Sequence, residues 1–122
     1  GRLTGTLPLE QGHVTRSLSL GARGLEVEDS WIALSGEGRV RLRVPQDWAL
    51  VSQSHESAMF EADGVCVLLS VSCGQIQNCS VGDWACRYLE NLSAHVIDLV
   101  PGAPQNMPDA EATLKWAVSR IG

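Results

Sequence analysis

Val65-Cys66-Val67-Leu68-Leu69-Ser70-Val71 is the stretch that decides the fold, because its apolar residues occupy positions of both parities. A β-prone run without alternation is typical of a strand that is covered on both faces. Ala58-Met59-Phe60-Glu61 precedes it, and Ala62-Asp63-Gly64 between them contains the Asp-Gly pair typical of a tight hairpin turn. The sequence therefore predicts a β-hairpin whose second strand, 65–71, is the central strand of an antiparallel sheet.

The part of the chain before this hairpin alternates between apolar and polar residues, which indicates half-buried strands. Apolar residues recur at every second position around Leu18, Leu25 and Ile32, and glycine-rich or polar turns separate these runs. Residues 14–44 are therefore predicted to form a four-stranded antiparallel meander that follows an N-terminal arm at 1–13.

A helix is predicted over 80–95. Ser80-Val81-Gly82-Asp83 resembles a capping box with Asp in the place of Glu, and apolar residues then recur at intervals of three and four. Residues 109–121 fit either a helix or a final strand, and the first-turn residues Pro108-Asp109-Ala110-Glu111 favour the helix. The predicted fold is thus α+β, with an antiparallel sheet of six to seven strands, the main helix at 80–95 on one face, and a C-terminal helix.

Length and charge limit the function classes. The chain has 122 residues, enough for one hydrophobic core and too few for two. Its 14 acidic and 9 basic side chains give a formal charge of −5, which opposes nonspecific binding to nucleic acid. No apolar run approaches the roughly 18 residues of a membrane-spanning helix. A single domain over 1–122 is predicted, with no membrane span and no nucleic-acid partner.

The clearest alternating strand is Arg39-Val40-Arg41-Leu42-Arg43-Val44, in which the three arginines share one face. We call Arg39, Arg41 and Arg43 the arginine stripe. Arg and Trp are the residue types that most often dominate binding energy at protein interfaces. Trp31 and Trp48 fall near strand ends beside the stripe, so these five residues are predicted to bind an acidic partner protein.

Two further expectations concern the arginine stripe. Glu26 and Glu28 on a nearby predicted strand are expected to neutralise part of it through cross-strand pairs. An exposed side chain contributes little to the fold, so Arg41→Glu is expected to weaken binding and to leave the melting temperature within a few degrees.

The four cysteines, at 66, 73, 79 and 86, lack the close pairs of a zinc site, and no metal or cofactor is predicted. Cys73 and Cys79 flank a polar connection that a disulfide would close in an oxidising compartment. Four reduced thiols that pack as small apolar groups are the alternative. The spacing leaves both alternatives open.

No catalytic signature is found. His13, His55 and His95 lie outside the known catalytic and phosphate-binding motifs. Ser54-His55-Glu56 is an unsuitable relay, because adjacent side chains on an extended segment point to opposite faces. Cys66 or Cys86 could pair with His95 as a nucleophile, but an apolar face would raise the thiol pKa and lower its reactivity.

Val44-Pro45-Gln46-Asp47-Trp48, followed by a β-prone hairpin and a helix that begins at Ser80, resembles the Pro-x-x-Trp opening of PsbP-like domains. The resemblance covers 44–93. It implies an antiparallel sheet with flanking helices and a function in binding proteins, and no functional residue is carried over from the family.

These observations favour a non-enzymatic module for protein binding or assembly, such as an adaptor, a chaperone-like protein or a complex subunit. Two alternatives stay open. One is a domain that binds a small apolar ligand in a cup inside a curved sheet, and the other is a small enzyme that uses a Cys/His pair.

Overall fold

The computed structural model describes residues 2–9, 12–22, 24–32, 39–87, 90–101 and 112–121, and these contain ten β-strands and no helix. The strands are β1 (Arg2–Leu9), β2 (Gly12–Leu20), β3 (Gly24–Ile32), β4 (Val40–Pro45), β5 (Ala49–Gln53), β6 (Ser57–Ala62), β7 (Val65–Cys73), β8 (Gln75–Arg87), β9 (Glu90–Val100) and β10 (Ala112–Ile121). The predicted α+β class is therefore wrong, because the described chain is almost entirely strand.

The strands form two antiparallel sheets. The larger has seven strands in the order β1-β2-β3-β10-β7-β6-β5, and the smaller has three in the order β4-β9-β8. The antiparallel pairing agrees with the prediction, whereas the number of strands and their division between two sheets do not. Strand β10 lies in the middle of the larger sheet and pairs with β3 on one side and β7 on the other.

The predicted hairpin around the Asp-Gly turn is present as β6 and β7. Asp63 and Gly64 have φ angles of 50° and 78°, and positive φ at both central residues is what a type I′ hairpin turn requires. Strand β7 is an interior strand with neighbours on both sides, but the middle strand is β10 and not 65–71.

The hydrophobic core lies where inward-facing residues of the two sheets pack together. The larger sheet supplies apolar residues from its interior strands, including Val27, Leu69 and Trp116, and the smaller sheet supplies Ile97 and Leu99. Alternation along each strand places these side chains on one face. The core is therefore shared by the two sheets.

The helix predicted at 80–95 is replaced by β8 and β9, which run antiparallel to each other. Strand β9 is the middle strand of the smaller sheet, and consecutive residues from Val96 to Leu99 are buried on both of its faces. Val81 lies on β8 and Val96 on β9, so the apolar spacing of three and four that suggested a helix runs across two paired strands, and Val81 is 59% exposed. The helix at Ser80, which formed part of the likeness to PsbP-like domains, is likewise a strand.

The predicted C-terminal helix is also wrong, because residues 112–121 form the strand β10. Leu114 and Trp116 are buried and Lys115 between them is exposed, which is the alternation of the strand alternative. The predicted meander is correct for the β2–β3 pair, but the runs around Leu25 and Ile32 form one strand, β3, and β4 belongs to the other sheet. Residues 33–38 and 109–111 lie outside the described chain, and the N-terminal arm contains β1. No helix in the described ranges is long and apolar enough to cross a membrane.

The backbone of β3 lies very close to that of β10 at Gly24, and a substitution there tests this close packing. A methyl group at Gly24 would overlap the backbone carbonyl oxygen of Val118. We expect Gly24→Ala to lower the free energy of unfolding by about 2 kcal/mol, because backbone cannot move aside as a flexible side chain can. Gly21→Ala is the matched control, because no atom lies within 4 Å of its Cβ position. If urea denaturation gave the same loss of stability for Gly24→Ala and Gly21→Ala, the close packing of β3 against β10 would be contradicted.

Candidate functional site

The arginine stripe lies on the outer face of the three-stranded sheet. Arg39 directly precedes β4, and Arg41 and Arg43 are on it; all three are exposed. Val40 and Leu42 point the other way and pack in the core. The alternation along β4 thus separates a basic face from an apolar face, and β4 is an edge strand of its sheet.

Asp98 on β9 organises the stripe. It lies directly opposite Arg41 in the sheet, and Arg41 donates two hydrogen bonds to it, from Nε to Oδ1 at 2.8 Å and from Nη2 to Oδ2 at 3.2 Å. Nη1 of Arg39 is 3.9 Å from Oδ2 of the same carboxylate. Asp98 is only 4% exposed. The pair therefore fixes one guanidinium against a nearly buried carboxylate.

The charges in this cluster shift one another's pKa values. The hydrogen bonds from Arg41 lower the pKa of Asp98 despite its burial, and the charges of Arg41, Arg39 and Arg43 add to this effect. The hydrogen bond to Asp98 raises the pKa of Arg41. Three guanidinium groups and one carboxylate leave a local excess of positive charge on a chain whose formal charge is −5. The cluster is therefore basic although the chain is acidic.

The predicted neutralising partners of the stripe were wrong. Glu26 and Glu28 are on β3 in the other sheet, where their register partners are on β2 and β10. Among the described side chains, Asp98 is the carboxylate that pairs with the stripe.

The two tryptophans assigned to the same surface are covered to different degrees. Trp31 is 7% exposed and belongs to the core. Trp48 is half-buried in the turn after β4, packs against the core, and its carbonyl oxygen accepts a hydrogen bond from Nε2 of His95 at 2.7 Å. The structure therefore leaves the arginine stripe as an exposed surface, with Trp31 inside the molecule and Trp48 partly covered.

The cysteines and His95 make separate contacts. Cys66, Cys73 and Cys79 are free thiols; Cys73 donates a hydrogen bond to the carbonyl of Thr113 at 3.4 Å, and burial raises the pKa of Cys79. His95 bonds to the Trp48 carbonyl, and its ring lies 5.4 Å from that of Phe60. The side chain of Cys86 lies outside the description. No hydrogen bond joins a cysteine to a histidine among the described side chains.

The Ser54-His55-Glu56 segment has a structural role. The Ser54 hydroxyl accepts hydrogen bonds from the backbone nitrogens of Glu56 and Ser57, at 3.2 and 3.1 Å. The His55 carbonyl accepts one from the nitrogen of Ile76 at 2.7 Å. The segment thus forms a turn between β5 and β6 and anchors the start of β8. Within the described ranges no three potential ligands gather at a metal site.

A second ion pair, which sequence reasoning missed, joins the neighbouring strands β2 and β3 of the larger sheet. Arg16 donates from Nε and Nη2 to Asp29 at 2.7 and 3.0 Å, and Asp29, 1% exposed, also accepts from the indole nitrogen of Trp116 at 3.5 Å. The signal was available, because Arg16 lies between Val14 and Leu18 at a core-facing position. The pair lines a groove of about 540 Å³ beside β1, so this groove differs from a wholly apolar ligand cup.

No family model and no curated protein matches this chain. Two solved structures of heparinase III, one of them with methylated lysines, are similar to it with TM-scores of 0.76 and 0.74. Each match covers 98% of this chain and 19% of the heparinase chain, at 12% sequence identity. At that identity the likeness shows the fold alone. The chain spans about a fifth of the length of these structures.

The Arg41–Asp98 pair changes the expectation for Arg41→Glu. The variant places a second carboxylate against the nearly buried Asp98 and removes both of its hydrogen bonds, so we expect the melting temperature to fall by several degrees. Arg43→Glu, at an exposed position with no hydrogen bond to Asp98, is expected to change it much less. Thermal unfolding followed by circular dichroism compares the two. Equal melting temperatures would show that the pair contributes nothing.

The lowered pKa of Asp98 predicts that the stability of the fold depends on pH. Its pKa is lower in the folded chain, so its contribution to stability is present above the unfolded pKa of about 4 and is lost as pH falls through the folded pKa. We expect the wild type to be more stable than Asp98→Asn at pH 7, with the difference shrinking as the pH falls below about 4. The measurement is thermal unfolding of both proteins from pH 7 down to pH 2. A stability difference between the two proteins that stayed constant from pH 7 to pH 2 would show that protonation of Asp98 is not coupled to folding.

Proposed function

We propose that this chain is a non-enzymatic β-sandwich module that binds an acidic partner protein through the arginine stripe. One observation carries the proposal. Three exposed guanidinium groups lie on one face, and two of them, those of Arg39 and Arg41, form ion pairs with the same carboxylate, on a chain whose net charge has the opposite sign. A partner with an acidic patch would be attracted to this face and repelled by the rest of the surface.

The geometry of the stripe favours recognition. Asp98 holds Arg41 in place through two hydrogen bonds, so less side-chain freedom is lost when a partner binds. Arg39 and Arg43 flank it on the same face and are exposed. Guanidinium groups present planar pairs of donors that match carboxylates. The stripe thus offers donors spaced by two residues along one strand, about 7 Å apart.

The likeness to heparinase III concerns the fold and is compatible with a role in assembly. There the same fold makes up about a fifth of a larger protein, which is consistent with a module that works beside other domains or subunits. The name of that protein also suggests an acidic polysaccharide as a second candidate, because sulfate groups would meet the same guanidinium groups. A protein partner is favoured because a long polyanion would extend beyond the stripe onto an acidic surface.

The Cys/His alternative is less well supported. A thiol nucleophile needs an imidazole within hydrogen-bond reach, whereas Nε2 of His95 bonds to the carbonyl oxygen of Trp48 and no described hydrogen bond joins it to Cys66. The side chain of Cys86, the other candidate, lies outside the described residues. Burial raises the pKa of Cys79, which lowers the fraction of reactive thiolate. These contacts weigh in favour of a binding role.

The test uses a short glutamate peptide, comparable in length to the stripe, as a defined acidic polypeptide, and Arg43→Glu as the variant that leaves the Arg41–Asp98 pair intact. We expect binding by the wild type that weakens with salt, and a dissociation constant about tenfold higher for Arg43→Glu. Arg120→Glu, at an exposed position on β10 in the other sheet, is the control with the same change in charge.

Three outcomes count against the proposal. An equal loss of binding in Arg120→Glu would show that net charge, and not the stripe, attracts the polypeptide. Binding without dependence on Arg43 would place the site elsewhere. Tighter binding of a heparin fragment of equal charge, with the same dependence on Arg43, would support the polysaccharide candidate in place of the protein. Isothermal titration calorimetry at two salt concentrations distinguishes these outcomes.

A further inference from the structure

Strand β1 is the least protected edge of the two sheets. Three of the four edge strands carry features that discourage further pairing. Strand β4 bears the arginines, β5 has five residues and an irregular register, and β8 has two register shifts. Strand β1 pairs with β2 through eight residues without a shift, and its residues 3–9 include no charged side chain. In the described chain, no strand covers its outer side.

The sequence of β1 is self-complementary. Residues 3–7 read Leu-Thr-Gly-Thr-Leu, a palindrome centred on Gly5. We propose that β1 pairs antiparallel with β1 of a second copy of this chain, with a twofold axis at Gly5. This arrangement places Leu3 opposite Leu7 of the second copy and Thr4 opposite its Thr6. Opposed residues share a face of the sheet, so like side chains meet, as an isologous interface requires.

The backbone of β1 suits this pairing. Proline has no N–H, and a proline within an edge strand directs its nitrogen away from the neighbouring strand. Pro8 therefore indicates that the even-numbered residues direct their backbone groups to the free edge, because these groups alternate along a strand. Thr4 then exchanges two backbone hydrogen bonds with Thr6 of the second copy, and Thr6 does the same with Thr4 of the second copy. Gly5 then lies opposite Gly5 of the second copy as a pair that exchanges no hydrogen bonds, and the Cα atoms of such a pair are about 4.5 Å apart.

Across the proposed twofold axis, the second copy would extend the rows of side chains on both faces of the sheet. On the outer face, Thr4 and Thr6 already lie 3.2 Å from the hydroxyl groups of Ser17 and Thr15, so a second copy would extend these rows of hydroxyl groups. On the other face, Leu3 lies opposite Leu18 and is 72% exposed. Pairing would place an apolar residue of the second copy beside it. The proposal does not rest on the arginine stripe, which lies on the other sheet.

The register is tested by cross-linking. Gly5→Cys places a thiol at the axis, where a Cα separation of about 4.5 Å permits a disulfide between copies, and the single chain has open space at this position. Gly21→Cys is the control, because it also adds one thiol at a position with open space. After mild oxidation, we expect mass spectrometry to find a disulfide joining residue 5 of two copies. Cross-linking no greater than in Gly21→Cys would overturn the proposal.

Sedimentation velocity over a range of chain concentrations provides the second test. We expect reversible dimers of the wild type, and a dissociation constant at least about tenfold higher for Thr6→Pro, which removes an edge N–H. Leu3→Lys, at an exposed position, is expected to weaken the dimer similarly even if Thr6→Pro fails to fold. Val51→Lys, on the opposite edge of the sheet, should leave it unchanged. A wild type that stays monomeric, or dimers insensitive to Leu3→Lys, would overturn the proposal.

Discussion

The seven-stranded sheet depends on β10, which pairs with β3 on one side and β7 on the other. Without β10, the strands β1 to β3 and β5 to β7 would be two separate groups with open edges. Its buried residues Leu114 and Trp116 also belong to the core. Because β3 and β10 are far apart in sequence, this pairing closes a long loop, and its entropy cost must be met by burial of the core. The strand that completes the sheet is thus also the strand that anchors its interior.

Two Arg–Asp pairs fix how the strands align around this core. Arg16 lies opposite Asp29 in the larger sheet, and Arg41 lies opposite Asp98 in the smaller one. Each carboxylate is nearly buried, so a shift of the pairing by one residue would separate it from its arginine and leave a charge without a partner. Asp29 also contacts Trp116 of β10, which links the alignment of β2 and β3 to the central strand. Buried charge therefore acts here as a constraint on register.

Local signals in the sequence predicted some elements and not others. The Asp-Gly turn at 63–64 specified the β6–β7 hairpin, and alternation identified β2, β3 and the arginine face of β4. Strand β9 was missed because burial on both faces leaves no period of two, and the separation of β4 from β3 follows from long-range pairing with β9. The same limit applies to the site. The stripe could be predicted, but its carboxylate, Asp98, lies 57 residues from Arg41 in sequence.

The edges of the two sheets differ in the kind of partner that each would select. Arginines along β4 discourage the addition of another strand, because pairing would remove part of the hydration of their charged groups. The same arginines can attract an acidic surface without any change in the backbone, and their selectivity then depends on salt. Strand β1 has no such charge from Leu3 to Leu9, so recognition there must come from backbone hydrogen bonds and from the match between opposed side chains. The chain thus combines a charged edge that disfavours the addition of a strand with an edge, uncharged from Leu3 to Leu9, at which we propose that a second copy pairs.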